Sequence, residues 1–268
     1  MTERIAVAAT APFGADVLER LAGRHEISCV VTRPDAPAGR GRRLAAPPAK
    51  TVAERLGIPT LQPERLAPGF DPGAPTVVVV AYGLIVSEQL LEERRWLNVH
   101  PSLLPRWRGA APVERAIMAG DAETGVSIIR LVKELDAGPI AAQRAFAIEP
   151  DDDAGAVFGK AAGIAVDLLD AVLANPAPEF REQRGDVTYA EKISPEDRRL
   201  DLSRTPDELV NVVRALSPHV GARAEVHGRT LTIWRACVGD DGSFVPLDVQ
   251  PDGGRPMSYD AWLRGLRR

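Results

Sequence analysis

The stretch NVHPSLLPRWRGAAP, residues 98–112, concentrates amide, imidazole and guanidinium side chains within a short length of chain. If the residues before it form a β-strand, alternation places Asn98 and His100 on one face and the apolar residues beside them on the other. Pro101 lacks a backbone N–H and ends the strand. An amide donor beside an imidazole suits the stabilisation of a developing negative charge and the movement of a proton. The spacing therefore indicates an active site but leaves the reaction open.

Asp136 is the third residue that could take part in this chemistry. It precedes Ala137, Gly138 and Pro139, so a turn between two predicted strands would hold its carboxylate on a fixed backbone. Beside His100, that carboxylate would orient the imidazole. The alternative is that His100 is structural, that Asn98 caps a turn and that Asp136 only forms one. The sequence does not show whether the three side chains meet.

Short apolar runs alternate with amphipathic helical patterns in the first half of the chain. The predicted strands span residues 4–10, 26–32, 76–83 and 96–99, and the predicted helices span 14–23, 45–57 and 87–93. Strands that are apolar along their whole length predict an α/β fold, a Rossmann-like and mostly parallel sheet with helices on both faces. Ligands bind at the carboxyl ends of the strands in such sheets, which is where Asn98 and His100 stand.

The second half divides at a polar, charged stretch, residues 174–205. Before it we predict a helix at 109–120, strands at 125–132 and 139–148, and a long helix at 151–174. After it we predict a helix at 206–217 and strands at 222–228, 229–238 and 244–250. The predicted organisation is a catalytic domain at 1–182, a linker at 183–202 and a small β-rich module at 203–268.

The composition is that of a globular protein, with 45% hydrophobic and 26% charged residues among 268 and a net charge of −4. No window approaches the roughly 20 apolar residues of a membrane span, and the N-terminus lacks the apolar core of a signal peptide. We expect a cytoplasmic protein without a membrane partner. Two cysteines, Cys29 and Cys237, are too few for a disulfide framework, and we expect two buried, inert thiols.

Residues 33–50 form a basic segment rich in Gly, Pro and Ala, with five basic residues against one acidic residue. Such a segment could contact phosphate, and the alternative is a solvated loop. The net negative charge excludes a globally basic nucleic-acid binder.

Together these motifs closely resemble those of the methionyl-tRNA formyltransferases. The matching stretches are 34–44, 77–85, 98–126, 135–138, 188–193 and 249–258. SLLPRWRGAAP followed by LDAG is the most specific part of the likeness, which runs almost the full length of the chain. The resemblance implies the formyltransferase fold and an abridged, barrel-like C-terminal module.

The resemblance also implies a role for individual residues. It assigns catalysis to Asn98, His100 and Asp136, with 10-formyltetrahydrofolate as the formyl donor. Contacts to folate are assigned to Ser102, Leu103, Leu104 and Pro105, and the backbone near Leu84 and Val86 would face the pterin. The acceptor would be the α-amino group of methionyl initiator tRNA, with Phe13 near the methionyl pocket and Arg40, Arg42 and Arg43 available for phosphate. We expect no metal and a monomer.

The chain departs from the family in two places. It reads ATAPF at residues 9–13, where the family reads GTPDF, so Ala9 replaces a glycine. The C-terminal module is shortened and, from Ser203 onward, carries nine basic and eight acidic residues. We therefore predict that this module binds tRNA weakly and that the Arg40 segment supplies more of the affinity.

Three other functions compete with this interpretation. A formyltransferase acting on an amino-sugar nucleotide would share the catalytic trio, but a small sugar gives no reason for PAGRGRR at residues 37–43. A non-catalytic folate- or RNA-binding relative would have no need of the complete trio. A nucleotide-dependent oxidoreductase is disfavoured because no GxGxxG follows the first strand.

Overall fold

The computed structural model describes residues 4–38 and 43–266. Its strands are β1 Ile5–Ala9, β2 Ile27–Val31, β3 Ala36–Ala38, β4 Arg43–Ala45, β5 Thr60–Leu61, β6 Thr76–Val80, β7 Arg95–His100, β8 Arg108–Gly109, β9 Glu123–Arg130, β10 Ile140–Ala147, β11 Tyr189–Ala190, β12 Ala222–Val226, β13 Arg229–Val238, β14 Phe244–Pro251 and β15 Met257–Ser258. Its helices are α1 Pro12–Ala22, α2 Pro48–Leu56, α3 Glu88–Glu93, α4 Pro112–Met118, α5 Ala154–Ala174, α6 Pro206–Leu216 and α7 Tyr259–Leu266.

The central sheet has the strand order β10-β9-β7-β6-β1-β2-β5. The pairs from β7 through β6, β1 and β2 to β5 are parallel, whereas β9 runs antiparallel to β7. The predicted α/β fold with a mostly parallel sheet is therefore confirmed. The strand order reverses between the neighbours β6 and β1, and β7 lies next to β6 in the interior of the sheet, flanked by β9 on its other side. Ligand sites of open α/β sheets lie at the carboxyl ends of the strands near such a reversal.

The interior strands are apolar on both sides because both faces of the sheet are covered. All five residues of β1 and all five of β6 are buried. One part of the core groups Trp96 on β7 with Leu90 on α3 and with valines of β6. The indole nitrogen of Trp96 donates a 2.7 Å hydrogen bond to the carbonyl oxygen of Leu90. This hydrogen bond satisfies the buried N–H of the indole ring and ties β7 to α3.

The chain forms two compact units that alternate along the sequence. The first contains Met1–Arg108, Gly125–Ala145 and Gly159–Thr188, and the second contains Gly109–Thr124, Phe146–Phe158 and Tyr189–Arg268. The first unit carries most of the central sheet. The predicted domain bounds of 1–182 and 203–268 stay a prediction.

The second unit contains an antiparallel sheet in the order β12-β13-β14-β15. The three strands predicted for this region are confirmed, and the predicted helix is α6, which begins with a capping box between Thr205 and Glu208. Helix α7 was not predicted, because its eight residues give too short a periodic signal. The indole of Trp262 on α7 is buried in the core of this unit with Leu231 and Ile233 of β13.

Two details differ from expectation. The basic segment predicted as a loop contains a small antiparallel hairpin, β3 with β4, and Lys50 Nζ donates a 2.8 Å hydrogen bond to Asp35 Oδ1 at its base. Cys29 is buried as expected, but the expectation of a second buried thiol is wrong, because Cys237 on β13 is only half-buried.

Candidate active site

β7 carries Asn98 and His100 into a common cluster with Asp136. Both residues are buried: 8% of the surface of Asn98 and 4% of the surface of His100 is exposed. Asn98 Nδ2 donates a 3.2 Å hydrogen bond to Asp136 Oδ1, and His100 Nδ1 lies 3.6 Å from Asp136 Oδ2. The structure therefore brings together the three residues that the sequence analysis singled out for catalysis, with one carboxylate facing both an amide and an imidazole.

The second ring nitrogen of His100 has a backbone partner. Its Nε2 lies 2.8 Å from the carbonyl oxygen of Trp107. A carbonyl oxygen accepts hydrogen bonds and cannot donate them, so Nε2 must carry the proton. In the neutral ring the lone pair then belongs to Nδ1, which faces Asp136. This role of Trp107 was not predicted, because every residue has a backbone carbonyl and residue types therefore give no sign of it.

Asp136 sits in the turn between β9 and β10. Its φ of 47° lies in the left-handed region, which is unfavourable for a residue with a Cβ, and its carboxylate is 10% exposed. Gly138 follows so close to β9 that an added Cβ would overlap the carbonyl oxygen of Arg130. The absence of a side chain at Gly138 thus allows the tight turn that presents Asp136 to β7.

Residues 181–188 lie against both sides of this cluster, although the sequence analysis predicted a linker from residue 183. Gln183 Nε2 donates hydrogen bonds to the carbonyl oxygens of Asp136 and Gly138, at 2.7 and 2.9 Å. Thr188 Oγ1 accepts a 2.9 Å hydrogen bond from the backbone N–H of Trp107. No local sequence pattern predicts these contacts, because they join residues that are distant along the chain.

The stretch Ser102–Pro105, expected to contact folate, has a rigidly held backbone. Ser102, Leu104 and Pro105 are buried, and Leu103 is half-buried. Ser127 Oγ on β9 donates to Ser102 O at 2.7 Å and accepts from Leu104 N at 3.2 Å. Gln143 Nε2 on β10 donates to Leu104 O at 3.1 Å and to Ser127 Oγ at 2.8 Å. Neither polar residue was predicted to take part in the site, although polar residues within apolar strands gave an available signal.

The loop after β6 presents one apolar side chain outward. Leu84 and Val86 pack half-buried against the core beside Tyr82, whereas Ile85 is 91% exposed. Burial raises the pKa of Tyr82 to about 12, so its hydroxyl stays protonated at physiological pH. Thr10 Oγ1 donates a 2.8 Å hydrogen bond to the carbonyl oxygen of Tyr82 and fixes the start of the loop.

The residues expected to bind the acceptor lie on other elements. Phe13 is buried in the first turn of α1, and Arg43 is exposed at the start of β4. Arg40 and Arg42 lie outside the described residues. Ala9, where the family has glycine, is fully buried, and an added Cβ on Gly14 would stand 2.9 Å from the Ala9 methyl group.

Within residues 4–38 and 43–266, no three His, Cys, Asp or Glu side chains are grouped in a way that could hold a metal ion. Over the same ranges, no helix combines the length and apolar character needed to cross a membrane.

Two family models match the chain. One, described as "Formyl transferase", matches residues 3–173, and the other, "Formyl transferase, C-terminal domain", matches residues 192–245. Among curated relatives, methionyl-tRNA formyltransferase of Halorhodospira halophila is 42% identical, over 100% of this chain and 97% of the relative. The same enzyme of Methylococcus capsulatus is 38% identical, over 97% and 96%. That of Thermus thermophilus is 39% identical, over 98% and 96%.

Solved structures share the fold at lower identity. Methionyl-tRNA formyltransferase from Clostridium thermocellum superposes with a TM-score of 0.67 at 16% identity, covering 96% of this chain and 99% of that chain. HypX from Aquifex aeolicus, solved in complex with tetrahydrofolic acid, gives a TM-score of 0.68 at 16% identity, covering 98% of this chain and 47% of that chain. These likenesses concern the fold.

Proposed function

The chain belongs to the formyltransferase family, and on that premise we propose that it transfers the formyl group of 10-formyltetrahydrofolate to the α-amino group of methionyl initiator tRNA. Curated methionyl-tRNA formyltransferases that are 38% and 42% identical over nearly the whole chain support this acceptor. The observation that carries the chemistry is the contact of one carboxylate, Asp136, with both Asn98 and His100.

The reaction requires stabilisation of negative charge on the formyl oxygen. The amine nitrogen attacks the formyl carbon, an N–C bond forms, and the carbonyl π electrons move onto the oxygen. The Asn98 amide has two N–H groups, and one of them is directed to Asp136. We assign the other to the developing oxyanion, a contact worth about 3 kcal/mol in comparable sites. The hydrogen bond to Asp136 orients the amide for this task.

The reaction also requires movement of one proton. The attacking amine must lose a proton, and folate N10, which leaves when its bond to the formyl carbon breaks, must gain one. His100 Nδ1 holds the lone pair of the neutral imidazole, because Nε2 donates to Trp107 O. We assign proton transfer to His100: once Nδ1 has taken the amine proton it can donate to Asp136, which orients the protonated ring and acts as a proton acceptor directly or through a water molecule. His100 also lies beside Asn98 on β7, and its ring, once protonated and positively charged, can help to stabilise the oxyanion.

We propose that folate binds between the two loops that follow β6 and β7. Ser127 and Gln143 hold the backbone of Ser102 and Leu104 in the stretch Ser102–Pro105, so this stretch needs little reordering on binding. The exposed Ile85, carried between Leu84 and Val86, offers apolar surface for a flat ring such as the pterin. The tetrahydrofolic acid in the HypX complex supports this class of ligand for the fold.

For tRNA we propose that Arg43, together with Arg40 and Arg42, contacts phosphate, and that Phe13 lies near the methionyl side chain. Arg43 is exposed on β4, and the ion pair between Asp35 and Lys50 lies at the base of the β3–β4 hairpin. The guanidinium group therefore extends from a regular strand. The nearly balanced charge from Ser203 onward supports a smaller contribution from the C-terminal module.

The test is a formylation assay with three acceptors: methionyl initiator tRNA, methionyl elongator tRNA and a nucleotide-linked amino sugar. We expect product with the initiator tRNA alone. Product on both tRNAs would leave the chemistry intact and contradict the selectivity. Product with the amino sugar alone would replace the proposed acceptor, and no product with any of them would contradict the function.

A further inference from the structure

One short segment of the first unit, residues 181–188, holds both partners of His100. Gln183 Nε2 donates to the carbonyl oxygens of Asp136 and Gly138, on the Nδ1 side of the ring. Thr188 Oγ1 accepts from the N–H of Trp107, whose carbonyl oxygen is the partner of His100 Nε2. The two ring nitrogens of His100 are thus fixed by residues that this single segment supports.

Both supported residues have an unfavourable backbone. Trp107 has a φ of 62° and Asp136 a φ of 47°, in the left-handed region that side chains with a Cβ seldom adopt. Such conformations persist only where surrounding contacts impose them, and they tend to occur at functional sites. Gln183 donates a hydrogen bond directly to the backbone of Asp136, and Thr188 accepts one directly from the backbone of Trp107.

The orientation of the Gln183 amide follows from its neighbours. Arg108 Nε and Nη2 both donate to Gln183 Oε1, at 3.1 and 2.6 Å. Because a guanidinium group only donates, the oxygen must face Arg108 and the NH₂ group must face the carbonyl oxygens of the Asp136 turn. The backbone N–H of Arg108 in turn donates to the carbonyl oxygen of Thr188 at 2.9 Å. Gln183, Arg108 and Thr188 therefore belong to one connected hydrogen-bond network.

We propose that Gln183 and Thr188 are positioning residues that hold Asp136 and Trp107 against His100, and so set the imidazole for proton transfer. The proposal rests on the proposed function, because it assigns these residues a part in the same reaction. It predicts that Thr188 acts on turnover through His100, and that Gln183 acts through His100 and through Asn98, because Asp136 contacts both of these side chains.

Two substitutions each remove one contact with little change in shape. Gln183→Glu keeps an oxygen for Arg108 but cannot donate to the Asp136 carbonyl, and Thr188→Val removes the acceptor for Trp107 N–H. We expect each to lower kcat by about tenfold, since small displacements of a reacting group are costly, while KM for tRNA and for folate changes less than about threefold. Thr188→Ser, which retains the hydroxyl, and Arg184→Ala, at an exposed neighbour, should keep wild-type kcat. Thermal unfolding of each variant checks that it is folded.

The decisive measurement repeats Gln183→Glu and Thr188→Val in a His100→Ala background. We expect no further loss of kcat from Thr188→Val there, because the ring that it positions is gone, and a smaller loss from Gln183→Glu than in the wild type, because Asp136 still orients Asn98. An equal loss in both backgrounds, or single variants with kcat within about threefold of wild type, would overturn the inference while leaving the function intact. A wild-type protein that forms no product would overturn the proposed function and this inference with it.

Discussion

His100 Nε2 and the carbonyl oxygen of Trp107 are 2.8 Å apart. The pair selects the neutral tautomer in which Nε2 is protonated, and it leaves Nδ1 as the basic atom beside Asp136. A neutral imidazole can carry its proton on either ring nitrogen, and a hydrogen-bonded neighbour selects which one. Here the neighbour is a backbone carbonyl, so the choice of tautomer depends on the conformation of residue 107 and not on its side chain.

The first prediction concerns this tautomer. In the free protein, at a pH where His100 is neutral, nitrogen NMR with selectively labelled histidine should show protonation at Nε2. The physical reason is that the alternative tautomer would set two acceptors, Nε2 and the Trp107 oxygen, against each other at 2.8 Å, whereas Nδ1 and Asp136 Oδ2 are 3.6 Å apart. A spectrum in which neutral His100 is protonated at Nδ1 would contradict the assignment of the basic atom.

The second prediction concerns the catalytic assignment. His100→Ala and Asp136→Ala should each lower kcat by at least ~100-fold, because general acid–base transfer typically contributes that much. Folate binding, measured by calorimetry, should be retained, since neither residue belongs to the loops assigned to folate. Glu134→Ala, at an exposed position of the same turn, serves as the matched control. Wild-type rates in either of the first two variants would remove that residue from the mechanism.

The third prediction compares two glycines. Gly138→Ala should reduce both kcat and stability, because the added methyl group would overlap the Arg130 carbonyl and displace the Asp136 turn. Gly159→Ala is the control, since Gly159 lies within α5 with open space around its Cα. That exchange should raise the free energy of unfolding by about 0.5–1 kcal/mol. Chemical denaturation and turnover assays on both variants test this difference. A Gly138→Ala protein with wild-type activity and stability would contradict the prediction.

The fourth prediction concerns acid stability of the second unit. Hydrogen bonds from Arg115 lower the pKa of Asp197 to about 2, against an ordinary value of 3.8. Since the carboxylate is the form that folding favours, its stabilisation is complete above pH ~4 and disappears as the pH falls toward 2. After allowance for the partial exposure of the pair, the contribution is about 1–2 kcal/mol.

Urea unfolding between pH 2 and pH 6 measures this contribution. Asp197→Asn should lower stability at pH 6 and flatten the slope between pH 4 and pH 2, because it removes the proton linked to folding. Glu196→Gln, at the exposed neighbouring carboxylate, should leave the slope unchanged. Identical pH slopes for wild type and Asp197→Asn would show that the pair has no such role.

The parts of the site that the sequence predicted are those fixed by local rules. Alternation along a strand placed Asn98 and His100 together, and the apolar runs of β1 and β6 predicted a sheet covered on both faces. The turn at Asp136 was predictable from its Gly and Pro neighbours. What the sequence left open, whether these groups meet, is decided by the antiparallel register of β7 with β9, which pairs His100 with Ser127.

The parts that the sequence did not predict depend on contacts between distant residues. Gln183 and Thr188 lie in a polar stretch without periodicity, which favoured a linker, and their hydrogen-bond partners are 47 and 81 residues away. The partner of His100 Nε2 is a backbone carbonyl, which every residue possesses. Ser127 and Gln143 are the exception, since polar residues inside apolar strands gave a usable signal.

The central claim is that this chain moves a formyl group from folate to the amino group of methionyl initiator tRNA at the Asn98, His100 and Asp136 site. The most direct test is a single-turnover reaction with formyl-labelled 10-formyltetrahydrofolate and charged initiator tRNA, followed by mass spectrometry of the released amino acid. We predict labelled N-formylmethionine in equal amount to the tetrahydrofolate formed, and formation at least ~100-fold slower with His100→Ala. Unlabelled methionine alone from the wild-type reaction, or an unchanged rate with His100→Ala, would contradict the account.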